Sequence, residues 1–266
     1  TSRDRLCEVD LNLTHYRLSG LNLDTWQTYF NYRQITTTAA TIFPLHQTYG
    51  GNAKAMEIIA GNICADFDRD FDAYLGSAGE SQSLETGLQQ LIVNQFDRLQ
   101  KLDADAYELL CRAGCYRYQG LARVNADALS SLLWDVEPQQ RSQVINSLKN
   151  RSLIEYYRGK YLLHPAIRAE AISRLRQTDR WIQSNQQAAK FWINSVNHII
   201  DITTAITALE AYYHYIEIGD FQQAAQVLLQ PRSNQWGQFL PLASNLYRMG
   251  SIQPVLAAIE QIVPSL

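Results

Sequence analysis

The chain has 266 residues with only 13 Gly and 7 Pro, 46% of it is hydrophobic, and its formal net charge is −3. That length holds one large domain or two to three small ones, each with its own core, and the scarcity of turn residues points to mostly helix. The slightly negative, dispersed charge gives no bulk attraction to nucleic acid or an anionic membrane, and no apolar run approaches the ~18 residues that a membrane span needs. Cys7, Cys64, Cys111 and Cys115 are sparse and lie inside apolar patterns, so reduced thiols in a cytoplasm are the simplest reading. No signal peptide opens the chain, and it begins with Thr rather than Met, as a fragment or a processed product would.

In chain order, residues 11–23 (LNLTHYRLSGLNL) read as an extended connector. Asp24 starts a helix, with Gln27 completing a capping box, and Trp26, Tyr29 and Phe30 share one face. The Thr-rich run at 36–44 and Pro44 mark a break, followed by a short helix to Tyr49. Gly50-Gly51 is a turn and Asn52 a good N-cap. Met56, Ile59, Ala60 and Ile63 then repeat with helical spacing. GSAGESQS at 76–83 is the most linker-like stretch, and Leu84, Leu88, Leu91, Ile92, Phe96 and Leu99 form the next helical stripe.

Residues 100–176 read as one unit. Asp103 and Asn125 cap helices carrying Leu109 and Leu110, then Leu129, Leu132 and Leu133, and Pro138 precedes a third helix with Val144, Ile145 and Leu148. SLIEYYRGKYLLH is short, rich in aromatic and branched residues and broken by Arg158-Gly159, a β-hairpin signal. Three helices and a two-stranded wing make a winged-helix pattern. From about 179 onward everything reads as helix, with turns at Gly219-Asp220 and Gly250-Ser251 spaced 31 residues apart and Tyr215 and Tyr247 preceding them. That spacing is close to the period of tetratricopeptide-type hairpins, which stack into concave binding surfaces. The fold class expected is therefore mainly α: a small helical domain, a winged helix with a β-hairpin wing, and TPR-like helical hairpins.

The search for catalytic chemistry is nearly empty. There is no G-x-x-x-x-G-K-[ST] loop to cradle phosphates, and no G-x-S-x-G or H-E-x-x-H. His15, His46, His164, His198 and His214 lack ligand spacing, and His198 and His214 read as core or interface histidines in helices. Cys111 and Cys115 lie four apart on one helix face without two further ligands, which favours buried thiols over a metal. The cluster Asp66, Asp68, Asp70 and Asp72 lacks the Gly and terminal Glu of a calcium loop and reads as a solvated helix end. His164, in RGKYLLHPAIRAEA, sits where the hairpin gives way to a helix. A base, a metal ligand, a phosphate contact and a structural residue are the roles open to it.

Several stretches resemble, in order, the STAND-class signal-transduction ATPases that include the NB-ARC proteins. TSRDR looks like the sensor motif ending a late strand of the nucleotide domain, with Arg3 as its arginine. HYRLSGLNLDTWQTYF looks like the connector and first helix of the small helical domain. YGGNAKAMEIIAG resembles the G-G-N-P-L-A-L motif, and LHP stands where the family has M-H-D. The resemblance implies domains at 1–23 (a remnant of a nucleotide-binding domain), 24–83 (small helical), 84–177 (winged helix) and 178–266 (helical arm). It implies nucleotide-sensing roles for Arg3, Gly51, Asn52, Ala53 and His164, the last reaching the β-phosphate of ADP as a hydrogen-bond donor. Its proline is Ala53 here and its M-H-D aspartate is Pro165, although many bacterial relatives carry Pro there.

The function implied is that of a regulatory, non-catalytic segment, with ADP or ATP and Mg belonging to a full-length parent whose Walker motifs would precede Thr1. Its partners would be an upstream nucleotide-binding domain and a protein or small-ligand effector on the arm, with oligomerisation on activation. Two other readings compete. In one, the winged helix binds DNA through Arg141, Lys149 and Arg151 with Arg158 and Lys160 on the wing. In the other, the chain is an interaction scaffold anchored by Tyr212, Tyr213, Tyr215, Trp236, Phe239 and Tyr247.

Overall fold

In a computed structural model the chain is described over residues 19–79, 87–118 and 123–263, and it divides into two compact units at Leu88/Gln89. Of the residues expected to form a nucleotide-domain remnant, 1–18, Arg3 among them, lie outside the described residues.

The first unit holds four helices: α1 (Leu23–Tyr32), α2 (Ala39–Thr48), α3 (Ala53–Asp66) and α4 (Phe71–Gly79). Helix α1 begins one residue earlier than the sequence suggests. Asn22 is its cap, accepting from the Thr25 N–H at 2.8 Å, and this leaves Asp24 as a first-turn acid. Pro44 does not break the chain but sits inside α2, whose start Thr38 and Thr41 close as a capping box. A strong cap upstream offsets the one hydrogen bond that the proline removes. Likewise the first residues of the expected linker, Gly76 to Gly79, complete α4. The stripe on α3 proves wider than its period implies, since the helix is buried on nearly every face from Lys54 to Ile63. Trp26, Phe30 and Phe71 pack edge and face around it, with ring centroids 6.0–6.1 Å apart.

The second unit begins with α5 (Leu88–Leu102) and α6 (Ala104–Ala113), then β1 (Val124–Asn125), α7 (Ala126–Ser131), α8 (Pro138–Asn150), β2 (Glu155–Tyr157), β3 (Lys160–Leu162) and α9 (Pro165–Arg176). Asp103 and Asn125 cap α6 and α7 through bonds of 3.1 and 2.9 Å, and Pro138 occupies the first turn of α8, where a missing N–H costs nothing. Arg158 and Gly159 both take positive φ, the two-residue turn whose twist suits a hairpin. The wing gains a strand that no run of apolar residues announced: β1 pairs with β3, giving the order β1-β3-β2. The helices and hairpin thus follow the winged-helix order.

Helix α6 carries the central constraint of this region. Arg112 is fully buried. Its guanidinium grips Asp135 with two 2.6 Å bonds, donates to the Leu132 carbonyl at 2.8 Å and stacks on Trp134. One residue beyond the helix, a Cβ on Gly114 would stand 2.9 Å from Ala171 Cβ, so glycine is what lets α6 lie against α9.

The remainder is α10 (Arg180–Ser195), β4 (His198–Ile199), α11 (Ile202–Glu217), α12 (Phe221–Leu229), β5 (Pro231–Asn234), β6 (Phe239–Pro241), α13 (Leu242–Arg248) and α14 (Ile252–Ile262). The expectation of helix throughout fails at a second sheet, β4-β5-β6, with β4 parallel and β6 antiparallel to β5. Its core is polar. Arg232 on β5 is buried and donates to the Ile193 and Val196 carbonyls, and the Asn234 side chain donates to Asn245 Oδ1 at 2.8 Å. The 31-residue repeat is real in the backbone. Asp220 N–H bonds Tyr215 O at 2.9 Å, and Ser251 N–H bonds Leu246 O at 3.0 Å. The side chain matching Tyr215 is therefore Leu246, not Tyr247, which is exposed. Among the described residues no helix is long and apolar enough to cross a membrane.

Arg112→Ala should leave the Leu132 carbonyl without its donor and Asp135, which is partly exposed, to water, and lower unfolding stability by about 1–3 kcal/mol, measured by urea denaturation. Asp135→Asn should be the more severe change, about 3–5 kcal/mol, because it leaves the fully buried Arg112 guanidinium without its carboxylate partner. The Arg112 hydrogen bonds hold the Asp135 carboxyl below its usual range, so the pair's contribution persists above the ordinary aspartate pKa and is lost as pH falls through the lowered value.

Candidate functional site

His164 is the junction residue between the wing and α9. It is half-buried and serves as the N-cap of α9, its Nδ1 accepting from the Ala166 N–H at 3.3 Å. Pro165 occupies the first helical position, where its fixed φ suits the helix. With Nδ1 acting as acceptor, the neutral ring carries its proton on Nε2, so that nitrogen is a donor. A donor at a helix N-terminus favours an anion over a metal. The same cap is also what an ordinary structural histidine makes, so the geometry is compatible with both of those roles.

Gly51, Asn52 and Ala53 are far from His164 in sequence and belong to the first unit. Gly50 and Gly51 have φ of 57° and 69°, which glycine adopts freely. Asn52 caps α3, its Oδ1 accepting from the Lys54 and Ala55 N–H groups at 2.9 and 3.0 Å, and Ala53 is the first residue of that helix. The turn is thus a well-made helix start. Sequence reasoning missed His46, whose Nε2 lies 2.7 Å from the Leu21 carbonyl and whose ring meets Trp26 edge-on. An isolated histidine gives no signal of a partner 25 residues upstream.

The other histidines separate. His198 is exposed on β4 rather than buried in a helix. His214 is buried on α11, its Nδ1 2.9 Å from Asn185 Oδ1 and its ring edge-on to Tyr116. Burial, with Arg117 and Arg168 nearby, pushes its pKa down to about 3. Cys111 and Cys115 are both buried, and burial raises their thiols, that of Cys111 to about 12. Among the described residues no cluster of His, Cys, Asp or Glu is arranged to hold a metal; Asp68, Asp70 and Asp72 are exposed around the start of α4.

Of the cations proposed to touch DNA, those of α8 and its end have contacts within the fold, whereas Arg158 and Lys160 on the wing are exposed. Arg141 donates to the Val136 and Ser130 carbonyls, Arg151 to Ser147, and Lys149 lies over the Tyr156 ring. Of the aromatic anchors, Tyr212 and Tyr215 are core, whereas Trp236, Phe239 and Tyr247 are exposed. Helix α14 adds exposed Ile252, Leu256 and Ile259, with Val263 just beyond it, so the apolar surface of the arm concentrates toward its C-terminal end.

His214 must remain neutral in the fold, whereas in the unfolded chain it titrates near ~6.5. Its contribution is therefore complete above that value and declines as pH falls below it. His214→Leu should flatten the pH dependence of stability between pH 5 and 6.5 by about 1 kcal/mol per unit, read from denaturation midpoints at each pH.

No protein-family model matches the chain. Over 119 residues it is 29% identical to an uncharacterized WD repeat-containing protein of Nostoc sp. strain PCC 7120, a match covering 45% of this chain and 9% of that protein. A crystal structure of a Signal Transduction ATPase with Numerous Domains (STAND) protein with a tetratricopeptide repeat sensor, from Pyrococcus horikoshii, superposes over 93% of this chain with a TM-score of 0.60 and 16% identity. The chain spans about a third of that protein's length. The mainly helical architecture of this chain, with its two small sheets, is the fold of that stretch of a STAND protein.

Proposed function

We propose that this chain is the regulatory, non-catalytic portion of a nucleotide-dependent switch. The observation that carries the proposal is the fold shared with a STAND protein along 93% of the chain; the motif order read from the sequence supports the same reading. Hydrolysis would belong to sequence upstream, since no phosphate-cradling loop with its lysine occurs in these 266 residues. His164 is the contact to the β-phosphate of ADP in the parent protein. Its capped position at the start of α9 directs a proton-bearing Nε2 away from the ring nitrogen that holds the helix. Loss or gain of a phosphate there biases a two-state domain arrangement. The arm is the sensing element, its exposed Trp236, Phe239 and Tyr247 forming an apolar surface for a protein or small-ligand effector.

A charge-assisted hydrogen bond contributes about 1.5–3 kcal/mol. In the parent protein, His164→Ala should therefore weaken ADP binding by about tenfold to a hundredfold, measured by calorimetry, and raise basal activity. ADP affinity and basal activity both equal to wild type would refute the latch, and upstream sequence without a P-loop would refute the switch.

A further inference from the structure

The Gly50-Gly51-Asn52 turn has already committed its donors. The Gly50 N–H donates to Gln47 O at 3.1 Å, the Gly51 N–H to His46 O at 3.1 Å and the Asn52 N–H to Tyr49 O at 3.0 Å. None of these three backbone donors remains for a phosphate or a base. What the turn receives instead is the connector. The Leu21 N–H donates to Gly51 O at 2.8 Å, and the Leu21 carbonyl accepts from His46 Nε2 at 2.7 Å. Both polar groups of Leu21 are thereby paired, one to the turn and one to a side chain of α2.

The approach is backbone on backbone. A Cβ on Gly20 would stand 2.0 Å from Gly50 O, and one on Gly51 would stand 2.3 Å from Leu21 O. Gly50 and Gly51 also need positive φ. Separate demands for glycine therefore converge on one junction between two segments distant in sequence. His46 is set for its task by its edge contact with Trp26, ring centroids 5.5 Å apart. Because a carbonyl only accepts, the hydrogen must sit on His46 Nε2.

We propose that Gly50-Gly51 is the docking site for the chain's own connector at Gly20-Leu21, with His46 as the positioning residue, so that connector and α3 move as one body. This rests on the switch reading: there the connector is the covalent path from the nucleotide domain, and the clip passes its displacement to α3 without slack. The motif to which the family resemblance gives a nucleotide-sensing role thus serves as a mechanical joint in this chain.

Hydrogen exchange followed by mass spectrometry on the 266-residue protein tests the clip. The Leu21 amide should be protected in wild type. His46→Ala should speed its exchange at least tenfold while the amides of Met56 to Ile63 change less than twofold, and His46→Gln, which keeps a donor for the Leu21 carbonyl, should restore most of the protection. Gly20→Ala should free Leu21 in the same way. An unprotected Leu21 amide in wild type, or one whose protection survives both His46→Ala and Gly20→Ala, overturns the proposal. An intact clip in a parent protein whose ADP affinity ignores His164→Ala supports the clip and refutes the latch separately.

Discussion

A guanidinium with no exposed surface must find partners inside the protein, and Arg112 finds them in a way that sets the frame of the second unit. Its two bonds to Asp135 and its bond to the Leu132 carbonyl fix the segment that ends α7 and leads into α8. From α8 the chain can only turn through Leu153 and Ile154, both buried, into the wing. Two residues after Arg112, Gly114 admits α9. The helix that begins at His164 is therefore held against the helix that carries the buried ion pair. Leaving that buried guanidinium without its carboxylate is penalised, and the penalty favours the arrangement in which α6, α9 and the wing keep their places.

The arm solves the same problem with a second buried guanidinium and several amide side chains. Asn234, Asn245 and the buried Arg232 satisfy one another's backbone neighbours around β5, and His214 pairs with Asn185. These contacts explain why the second sheet was invisible in the sequence. A strand reading PRSN has no alternating apolar pattern, because its inward positions are Arg232 and Asn234. Periodicity registers apolar side chains turned to a core; it is blind to a strand whose buried face is polar and whose partners are distant. The helices were legible for the opposite reason. The caps Asn52, Asp103 and Asn125 act on amides two or three residues away, so the whole interaction lies within one short window of sequence. Pro44 and the Thr-rich run before it misled together, because the threonines that read as part of a break, Thr38 and Thr41, form the capping box that starts the helix containing Pro44.

The candidate site was legible in part. His164 stands at the wing-to-helix junction where the sequence put it, and the structure adds what no spacing contains: Nδ1 is occupied by the helix start, so the ring has a defined donor and a defined acceptor. The turn at Gly50-Gly51 was legible as a turn, yet its partner was not. Nothing in YGGNAKAM says that Gly20-Leu21 will lie against it, because the recognition is between backbones and leaves its trace only as glycines where side chains would collide. His46 is the single side chain in that junction, and its sequence neighbours carry no hint of Leu21.

Two different kinds of contact therefore serve the two ends of the proposed mechanism. In the second unit the proposed contact is a single side chain, His164, whose Nδ1 is committed to the start of α9. In the first unit the joint is made of main-chain groups packed too closely for any side chain, which resists slippage but reads nothing. A switch needs both properties, and they conflict in one place: a contact that exchanges with a ligand is by nature weak in its absence, while a joint that transmits motion must hold in every state. Dividing them between a histidine cap on α9 and a glycine clip ahead of α3 lets sensitivity at the phosphate be tuned by a single side chain while the connector's grip on its own unit stays unchanged.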